Sequence, residues 1–444
     1  MMRWLLVGVT IAALLLLGAC SSTEADVRGL AAEHGVVPLG ISPEAAPQAQ
    51  VDLGRNLFFD PELSGNRNIS CATCHHPSLA TGDGLSLSIG QGGIGVGPDR
   101  ITGDGGVVPR NAPDLFNRGG SEWTSMFWDG RVAGSAEEGF STPAGDDLPE
   151  GVTSLLAAQA MFPVEAHGEM RGNPEDIDAR GAPNELAMFT DDDFTSVWDG
   201  LMARLLALPE YVRLFADAYP QVAMTDLGFE HAANAIGAFE ATTFHFTDSP
   251  WRSYLMGDDA ALSDEAERGA RLFFGDAGCA ICHNGPLLSD QQFHSLAAPQ
   301  IGPGKDDEAP EDHGRGRETG AAEEWYAFRT PSLLNVALTS PWFHDGAYST
   351  LQAVIRHHAD PLEALGTYDV SQAIGPGLLF VDRARYLEPL AASVDPRLAS
   401  AVPALDDDQI GLLIAFLESL SDAAAVDLGH LVPDEVPSGL TVDR

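Results

Sequence analysis

Four of the five cysteines lie in two identical Cys-x-x-Cys-His frames, where residue type and spacing most directly predict chemistry. Two thiols one helical turn apart can form thioether bonds with the two vinyl groups of a haem, and the next imidazole then lies beneath the iron. The spacing therefore predicts two covalently bound haem c groups. The residues concerned are Cys71, Cys74 and His75 in the first frame, and Cys279, Cys282 and His283 in the second.

Two other kinds of site use paired cysteines at this spacing. One is a redox-active dithiol of the thioredoxin type, and the other is a zinc ion held by four thiolates. Neither site requires the histidine that follows both frames. Haem attachment is therefore the favoured interpretation.

An internal repeat surrounds the two frames. The pattern G-x-x-L-F-F precedes each of them, at residues 54–59 and 269–274, and it predicts a short helix leading into a haem loop. Apolar residues at helical spacing predict a closing helix for each unit, at 227–244 and 406–421, and a further helical region at 193–219. The expected fold is mainly α, with two cytochrome c-like haem domains related by this repeat and long irregular loops.

Composition changes suggest where these domains begin and end. The segments 90–106, 142–151, 172–193 and 297–324 are rich in Gly, Pro and Asp and are predicted loops. The first contains a G-x-G-x-x-G pattern, which we interpret as part of a haem-pocket loop because Pro98 and further glycines follow where a dinucleotide site needs a helix. The predicted organisation is a signal peptide at 1–19, a tether at 20–50, haem domains at 51–250 and 251–422, and a tail at 423–444.

The N-terminus predicts export and a lipid anchor. Arg3 precedes an apolar run over residues 5–17 that is too short to span a bilayer comfortably. Residues 17–20, Leu-Gly-Ala-Cys, resemble the bacterial lipoprotein processing box, so cleavage before Cys20 would leave a lipidated, membrane-tethered chain on the periplasmic side, and Ser21 favours the outer membrane. The alternative is an uncleaved signal anchor. With Cys20 lipidated and the other cysteines bound to haem, no disulfide bond is expected.

The composition limits the classes of partner. The 444 residues include 24 Lys+Arg and 65 Asp+Glu, which gives a formal net charge of -41. This charge excludes nucleic acid as a partner, because phosphate backbones would be repelled. With 44% hydrophobic residues, the chain can still form two folded cores.

Several motifs outside the haem frames carry a family resemblance. They are Leu-Phe-Phe-Asp-Pro at 57–61 with Leu-Ser-Gly at 63–65, Arg-Asn-Ala-Pro at 110–113, Phe-Trp-Asp-Gly-Arg at 127–131, the segment 159–163 with Glu-Met at 169–170, Thr-Pro-Ser-Leu at 330–333, and Phe-His-Asp-Gly at 343–346. On these motifs, residues 53–421 resemble the bacterial di-haem cytochrome c peroxidases and their relatives of the methylamine-utilisation MauG type.

The resemblance implies a peroxidase. Hydrogen peroxide would be reduced to water at the N-terminal haem, and a small c-type cytochrome or cupredoxin would donate electrons through the C-terminal haem. The family's acid–base carboxylate falls on Glu169, its pocket amide on Gln159, and its tryptophan between the haems on Trp128. A carboxylate can relay a proton between the two peroxide oxygens, whereas an amide can only orient them.

The resemblance also implies a calcium ion between the domains. Its protein ligands would be the side-chain oxygen of Asn111 and the main-chain carbonyls of Thr339 and Pro341, which suit a hard cation. Many relatives form homodimers, and for this chain the oligomeric state is left open.

The sequence departs from the classical pattern at both sixth ligands. Sixteen residues after His75, where classical members have a histidine ligand, the chain has Gln91, so we expect an uncapped haem that needs no reductive activation. The last methionine, Met256, precedes the second frame, so it cannot serve that haem from within its own domain. The aligned axial position is His358, with His357 as the alternative ligand if the alignment is off by one.

These departures leave two alternative functions open. One is a MauG-like oxidase that uses peroxide to oxidise a protein or an organic substrate, which the absence of a suitable methionine and the presence of Gln91 favour. The other is a non-catalytic electron-transfer cytochrome, which has no use for an uncapped iron.

Overall fold

The chain is mainly helical, as predicted. The computed structural model describes residues 26–40, 46–305, 308–376, 378, 383–401 and 404–444. Its α-helices are α1 Val27–Glu33, α2 Gln48–Phe59, α3 Cys71–Cys74, α4 Leu155–Ala160, α5 Phe194–Leu206, α6 Pro209–Ala218, α7 Phe229–Thr243, α8 Pro250–Leu255, α9 Asp264–Phe274, α10 Arg315–Thr319, α11 Leu351–Ala359, α12 Pro361–Gly366, α13 Arg383–Ser393, α14 Pro396–Ala401 and α15 Asp407–Glu418.

Two small antiparallel sheets accompany the helices in the described part of the chain. Their strands are β1 Ser125–Met126, β2 Val132–Ser135, β3 Gly139–Ser141, β4 Phe293–His294 and β5 Phe328–Arg329. The first sheet has the order β1-β2-β3, and the second pairs β4 with β5. Both are too short to form a layer of their own, so the helices supply the cores.

The predicted repeat is visible as two matching helix pairs. The helix α2 packs on α7, and α9 packs on α15. In the first pair, a Cβ added at Gly54 would lie 1.8 Å from the carbonyl oxygen of Ala235, and in the second, one added at Gly269 would lie 2.0 Å from that of Leu412. The glycine of G-x-x-L-F-F is therefore the residue that lets the two backbones meet.

The two phenylalanines of the motif pack in the same way in both pairs. Phe58 and Phe59 contact Phe239, with ring centroids 5.3 and 6.2 Å apart. In the second half, both aromatic residues at the end of α9 likewise contact Phe416, at 5.0 and 5.7 Å. The repeat in the sequence thus corresponds to a repeated aromatic contact at a helix crossing.

The glycine contact gives a stability prediction. Gly54→Ala is expected to lower the free energy of unfolding by about 1–3 kcal/mol, because the new methyl group overlaps the α7 backbone. Gly411→Ala is the matched control, since an added Cβ on this exposed face of α15 meets no described atom within 4 Å; it is expected to raise stability by about 0.5–1 kcal/mol. Denaturant unfolding of the haem-loaded variants measures both, and equal stabilities would contradict the role of Gly54.

The helix predictions are confirmed with one correction. The predicted closing helices at 227–244 and 406–421 are α7 and α15. The region 193–219 is two helices, because Pro209 occupies the first position of α6 and cannot continue α5.

Two large hydrophobic cores follow the two halves of the sequence. One is built mainly from residues between Leu53 and Ile236, and the other mainly from residues between Trp251 and Leu420. Val27 and Ala31 of α1 belong to the second core, so the predicted tether contains a folded element that packs on the C-terminal half.

The tail after residue 422 returns to the N-terminal half. Leu428, Val436 and Val442 pack in one cluster with Phe58 and Phe244. The exact domain boundaries stay a prediction. The helix α1 packs on the C-terminal half, and the segment after residue 422 packs on the N-terminal half.

No helix in the described part of the chain is long and apolar enough to span a bilayer. The predicted signal peptide and Cys20 lie outside the described residues.

Candidate haem-binding active site

The first haem frame forms a single helical turn, α3, with the axial histidine directly after it. The Nδ1 atom of His75 donates to the carbonyl oxygen of Thr81 at 3.1 Å. Burial lowers the pKa of His75 to about 4, so the ring is neutral at neutral pH. A neutral ring with Nδ1 donating leaves the Nε2 lone pair for a metal ion.

The predicted residues of the N-terminal site line one cavity. It encloses about 1340 Å³ of empty space, part of which is open solvent. Its lining includes Cys71, Cys74, His75, Asn111, Trp128, Gln159 and Glu169. The fold therefore brings together residues that are almost a hundred positions apart in the sequence.

Two short elements carry the two residues predicted to act on peroxide. Gln159 lies on α4, which is capped at its N-terminus by Ser154, whose hydroxyl accepts from the Ala157 amide at 3.1 Å. Glu169 lies on a π-helical turn, His167–Arg171. Both residues border the cavity that contains His75.

Buried cations beside the cavity fit the propionates of a haem. Arg118 lines the cavity, and the guanidinium groups of Arg118 and Arg329 lie over the ring of Trp123, at 4.6 and 4.8 Å from its centroid. Burial, and then repulsion from Arg118, lower the pKa of Arg329 to about 9. Its Nη1 atom is buried without a hydrogen-bond partner among the described residues, and a carboxylate of the haem would supply one.

The second frame has the same arrangement around its axial histidine. The Nδ1 atom of His283 donates to the carbonyl oxygen of Leu288 at 3.0 Å, and burial lowers the pKa of this ring to about 4. On α11, Nδ1 of His358 donates to the carbonyl oxygen of Val354 at 2.8 Å. In both residues Nε2 is left for a metal ion.

The spacing of these two imidazoles fits a pair of axial ligands. Their ring centroids lie 6.3 Å apart. Two imidazoles bound to one metal ion from opposite sides, with metal–nitrogen bonds of about 2.0–2.1 Å, have centroids about 6 Å apart. Together with the unpaired thiols of Cys279 and Cys282, this geometry fits a haem c between His283 and His358.

The neighbouring residue, His357, forms hydrogen bonds through both of its ring nitrogens. His357 is fully buried; its Nδ1 is 2.7 Å from the hydroxyl of Tyr348, and its Nε2 is 2.6 Å from the carbonyl oxygen of Leu296. With both ring nitrogens hydrogen-bonded, His357 has no free atom for iron.

Trp128 lies where the two halves of the chain meet. Its Nε1 donates to the carbonyl oxygen of Asn111 at 3.0 Å, and its own carbonyl oxygen accepts from the main-chain amide of Arg329, on β5 of the C-terminal half, at 2.9 Å. Because Trp128 also lines the first cavity, it connects that cavity with the other half.

A network of buried ion pairs also joins the two halves of the chain near Trp128. Arg110 donates to both carboxylate oxygens of Asp312, at 2.7 and 2.8 Å, and also to Asp129. Burial alone would raise the pKa of Asp312, but the charge of Arg110 outweighs it and lowers that pKa to about 2. The motifs at 110–113 and 127–131 therefore join the two halves of the molecule as well as bordering the cavity.

The structure adds a cavity residue that the motifs did not indicate. Glu240 lines the cavity, burial raises its pKa to about 8, and its Oε2 has no partner among the described residues. In the helix repeat, Phe239 corresponds to Phe416, so Glu240 corresponds to Leu417. This replacement of leucine by a carboxyl group was a signal in the sequence that could have identified it.

Asn111, one of the three predicted calcium ligands, is bonded to the segment that follows the other two in the sequence. The amide of Asn111 donates to the carbonyl oxygen of His344 at 2.8 Å, and its side-chain Nδ2 donates to that of Leu85, also at 2.8 Å. The calcium site that combines Asn111 with the carbonyls of Thr339 and Pro341 stays a prediction.

Comparison with known proteins identifies the family. A family model described as di-haem cytochrome c peroxidase matches residues 48–260. The methylamine utilization protein MauG of Methylorubrum extorquens is 31% identical over 71% of this chain and 70% of the relative. The cytochrome c551 peroxidase of Pseudomonas aeruginosa is 30% identical over 74% of this chain and 75% of the relative. The chain therefore belongs to the di-haem cytochrome c peroxidase family, which includes MauG.

A solved structure agrees with this assignment. The crystal structure of a MauG-like protein associated with microbial copper homeostasis matches with a TM-score of 0.57 at 27% identity, covering 88% of this chain and 94% of that one. Membership of the family implies two haem groups, and the predicted resemblance is confirmed.

Proposed function

We propose that the protein is a di-haem c-type peroxidase that reduces hydrogen peroxide to water at the N-terminal haem. The observation that carries this proposal is the single cavity that contains the first attachment frame, His75, Gln159 and Glu169. A carrier of electrons alone needs no carboxylate and amide beside its iron. Their presence in the same cavity therefore favours catalysis over simple electron transfer.

The residues of the cavity have different roles in the proposed reaction. When bound, the haem supplies the electrons and the iron at which the O–O bond is broken. The carboxylate of Glu169 can accept the proton of one peroxide oxygen and return it to the other, so that water leaves. The amide of Gln159 would orient the peroxide, and Thr81 keeps the imidazole of His75 in one orientation through Nδ1. Overall, hydrogen peroxide takes up two electrons and two protons to give two molecules of water.

The electrons reach this cavity from the C-terminal haem in our proposal. His283 and His358 would hold that haem, and Trp128 would provide an aromatic step between the two halves. The hydrogen bond between the Trp128 carbonyl and Arg329 supports this route, because it joins the main chain of Trp128 directly to a strand of the C-terminal half.

The setting of the reaction is also proposed. The electron donor is a small c-type cytochrome or a cupredoxin, and a net charge of -41 would attract a basic one. The protein acts on the periplasmic side of the cell envelope, anchored by lipid at Cys20 in the outer membrane. A calcium ion held by Asn111, Thr339 and Pro341 would stabilise the contact between the two halves.

A spectroscopic experiment tests the peroxidase proposal. We expect one equivalent of hydrogen peroxide to change the optical spectrum of the fully oxidised protein within the mixing time of a stopped-flow instrument, without prior reduction. The physical reason is that Gln91 provides no imidazole to cap the N-terminal haem. If the spectrum changed only after half-reduction, another residue would have to cap this iron.

A MauG-like oxidase is the second candidate function. The similarity to MauG and to the MauG-like structure, together with the absence of a capping histidine at Gln91, favours it. Steady-state oxidation of reduced cytochrome c by peroxide distinguishes the two candidates. Rapid turnover supports the peroxidase, whereas a spectral response to peroxide without cytochrome turnover supports the oxidase.

A further inference from the structure

The turn that carries Glu169 is attached to the segment before the first haem frame. Within the turn, the amides of Glu169, Met170 and Arg171 all donate to the carbonyl oxygen of Ala166, at 3.0–3.1 Å. The amide of Gly65 donates to the carbonyl oxygen of Met170 at 2.7 Å. A Cβ added at Gly65 would lie 1.7 Å from the Arg171 carbonyl oxygen, so this approach requires glycine.

The segment after the frame attaches to the other side of the same turn. The main-chain amide of Gln91 donates to the carbonyl oxygen of Gly168 at 3.1 Å, and its side-chain Nε2 donates to that of Met170 at 2.6 Å. Gly168 and Met170 are the two neighbours of Glu169. Gln91 therefore binds the carbonyl group on each side of the carboxylate-bearing residue.

The side-chain amide of Gln91 makes the hydrogen bond to Met170 and no other among the described residues. The side chain is buried, and its Oε1 has no hydrogen-bond partner among the described residues. Arg100 supports the preceding backbone, donating to the carbonyl oxygens of Ile89 and Gly90 at 2.8 and 3.0 Å. Gln91 occupies the position of the histidine that caps the haem in classical members. Its side chain instead donates, through Nε2, to the turn that carries Glu169.

We propose that Gln91 is a positioning residue that holds the turn bearing Glu169, so that the carboxylate lies at the haem cavity before peroxide arrives. This inference rests on the proposed function of Glu169 as the acid–base group. Correct placement matters because a displacement of about 1 Å can reduce a reaction rate about a hundredfold.

The test compares two buried amides. Gln91→Met removes the donor at similar length. Gln291→Met is the matched control, because Gln291 is also buried, its Nε2 donates one bond, to Ser289 at 2.8 Å, and its Oε1 is likewise unpartnered among the described residues. Amide hydrogen exchange of the haem-loaded protein over residues 167–171 gives the first measurement. We expect faster exchange in Gln91→Met and parent-like exchange there in Gln291→Met.

The second measurement is the rate constant of the reaction with hydrogen peroxide. Gln91→Met is expected to lower it about tenfold to a hundredfold in the parent protein, and to have no further effect in the Glu169→Gln background, because the two residues act through one group. Gln91→Leu, which has neither a hydrogen-bond donor nor an iron ligand in its side chain, repeats the test if the methionine variant does not fold.

The outcomes separate this inference from the proposed function. Unchanged exchange, or an equal loss of rate in both backgrounds, would overturn the positioning role. If Glu169→Gln loses activity while Gln91→Met keeps parent exchange and rate, the acid–base role stands and the positioning role fails. If Glu169→Gln keeps the full rate, the acid–base role fails, and the exchange measurement alone decides whether Gln91 holds the turn.

Discussion

Glu169→Gln is expected to lower the rate constant for the reaction with hydrogen peroxide by about 10²–10⁴-fold. The amide has nearly the same shape as the carboxylate and fits the same place at the cavity, but it cannot accept a proton from one oxygen and return it to the other. Haem content and the spectrum of the oxidised protein should stay unchanged, because Glu169 holds neither the attachment frame nor the axial ring. Stopped-flow mixing with excess peroxide measures the effect.

Glu165→Gln is the control for this experiment. Glu165 lies four residues earlier in the sequence, and burial raises the pKa of its carboxyl group to about 8. It is not among the residues that line the cavity, and its variant should react at the parent rate. Similar losses in both variants would show that the region needs its carboxyl groups for stability, and would contradict a specific proton relay by Glu169.

The parts of the site that could be predicted are those encoded by short-range spacing. The attachment frames need only neighbouring residues, because one helical turn brings two thiols and an imidazole together. The G-x-x-L-F-F repeat predicted a helix before each frame, and the structure adds why it contains glycine: Gly54 and Gly269 each lie against the backbone of a helix far along the chain. The local sequence pattern thus identified the glycine, and the tertiary structure explains why a larger residue would not fit there.

The parts that could not be predicted depend on contacts between distant segments. Arg118 and Arg329 are separated by more than two hundred residues, and only the folded chain brings both guanidinium groups to Trp123. In the same way, hydropathy could not show that Val436 of the tail belongs to the same hydrophobic cluster as Phe58. Isolated charged and apolar residues have no periodicity that would reveal such partners.

The resemblance gave residue positions, whereas the geometry separated adjacent alternatives. The alignment alone left His357 and His358 one residue apart as axial ligands. Hydrogen bonding distinguishes them, because both ring nitrogens of His357 are engaged, while His358 lies 6.3 Å from His283 with only Nδ1 bonded to the protein.

This distinction leads to the second prediction. His358→Met is expected to raise the reduction potential of the C-terminal haem by on the order of 0.1–0.3 V, within the range of about 0.8 V that axial ligands span. A thioether donates less charge to the iron than an imidazole and so favours the reduced state. Spectroelectrochemical titration of the haem-loaded variant measures the shift, with the N-terminal haem as an internal reference because His75 and its hydrogen bond to Thr81 are untouched.

His357→Met provides the matched control at the adjacent position. It removes the hydrogen bonds to Tyr348 and Leu296, so it should reduce stability, but it leaves both proposed ligands in place and should leave the potential of the C-terminal haem close to that of the parent. The reverse result, a large shift in His357→Met and none in His358→Met, would assign the iron to His357.

A low potential at a haem ligated by His283 and His358 would make the C-terminal haem a strong electron donor to the peroxide site. The same methionine substitution should therefore also slow electron transfer to the N-terminal haem after it has reacted with peroxide.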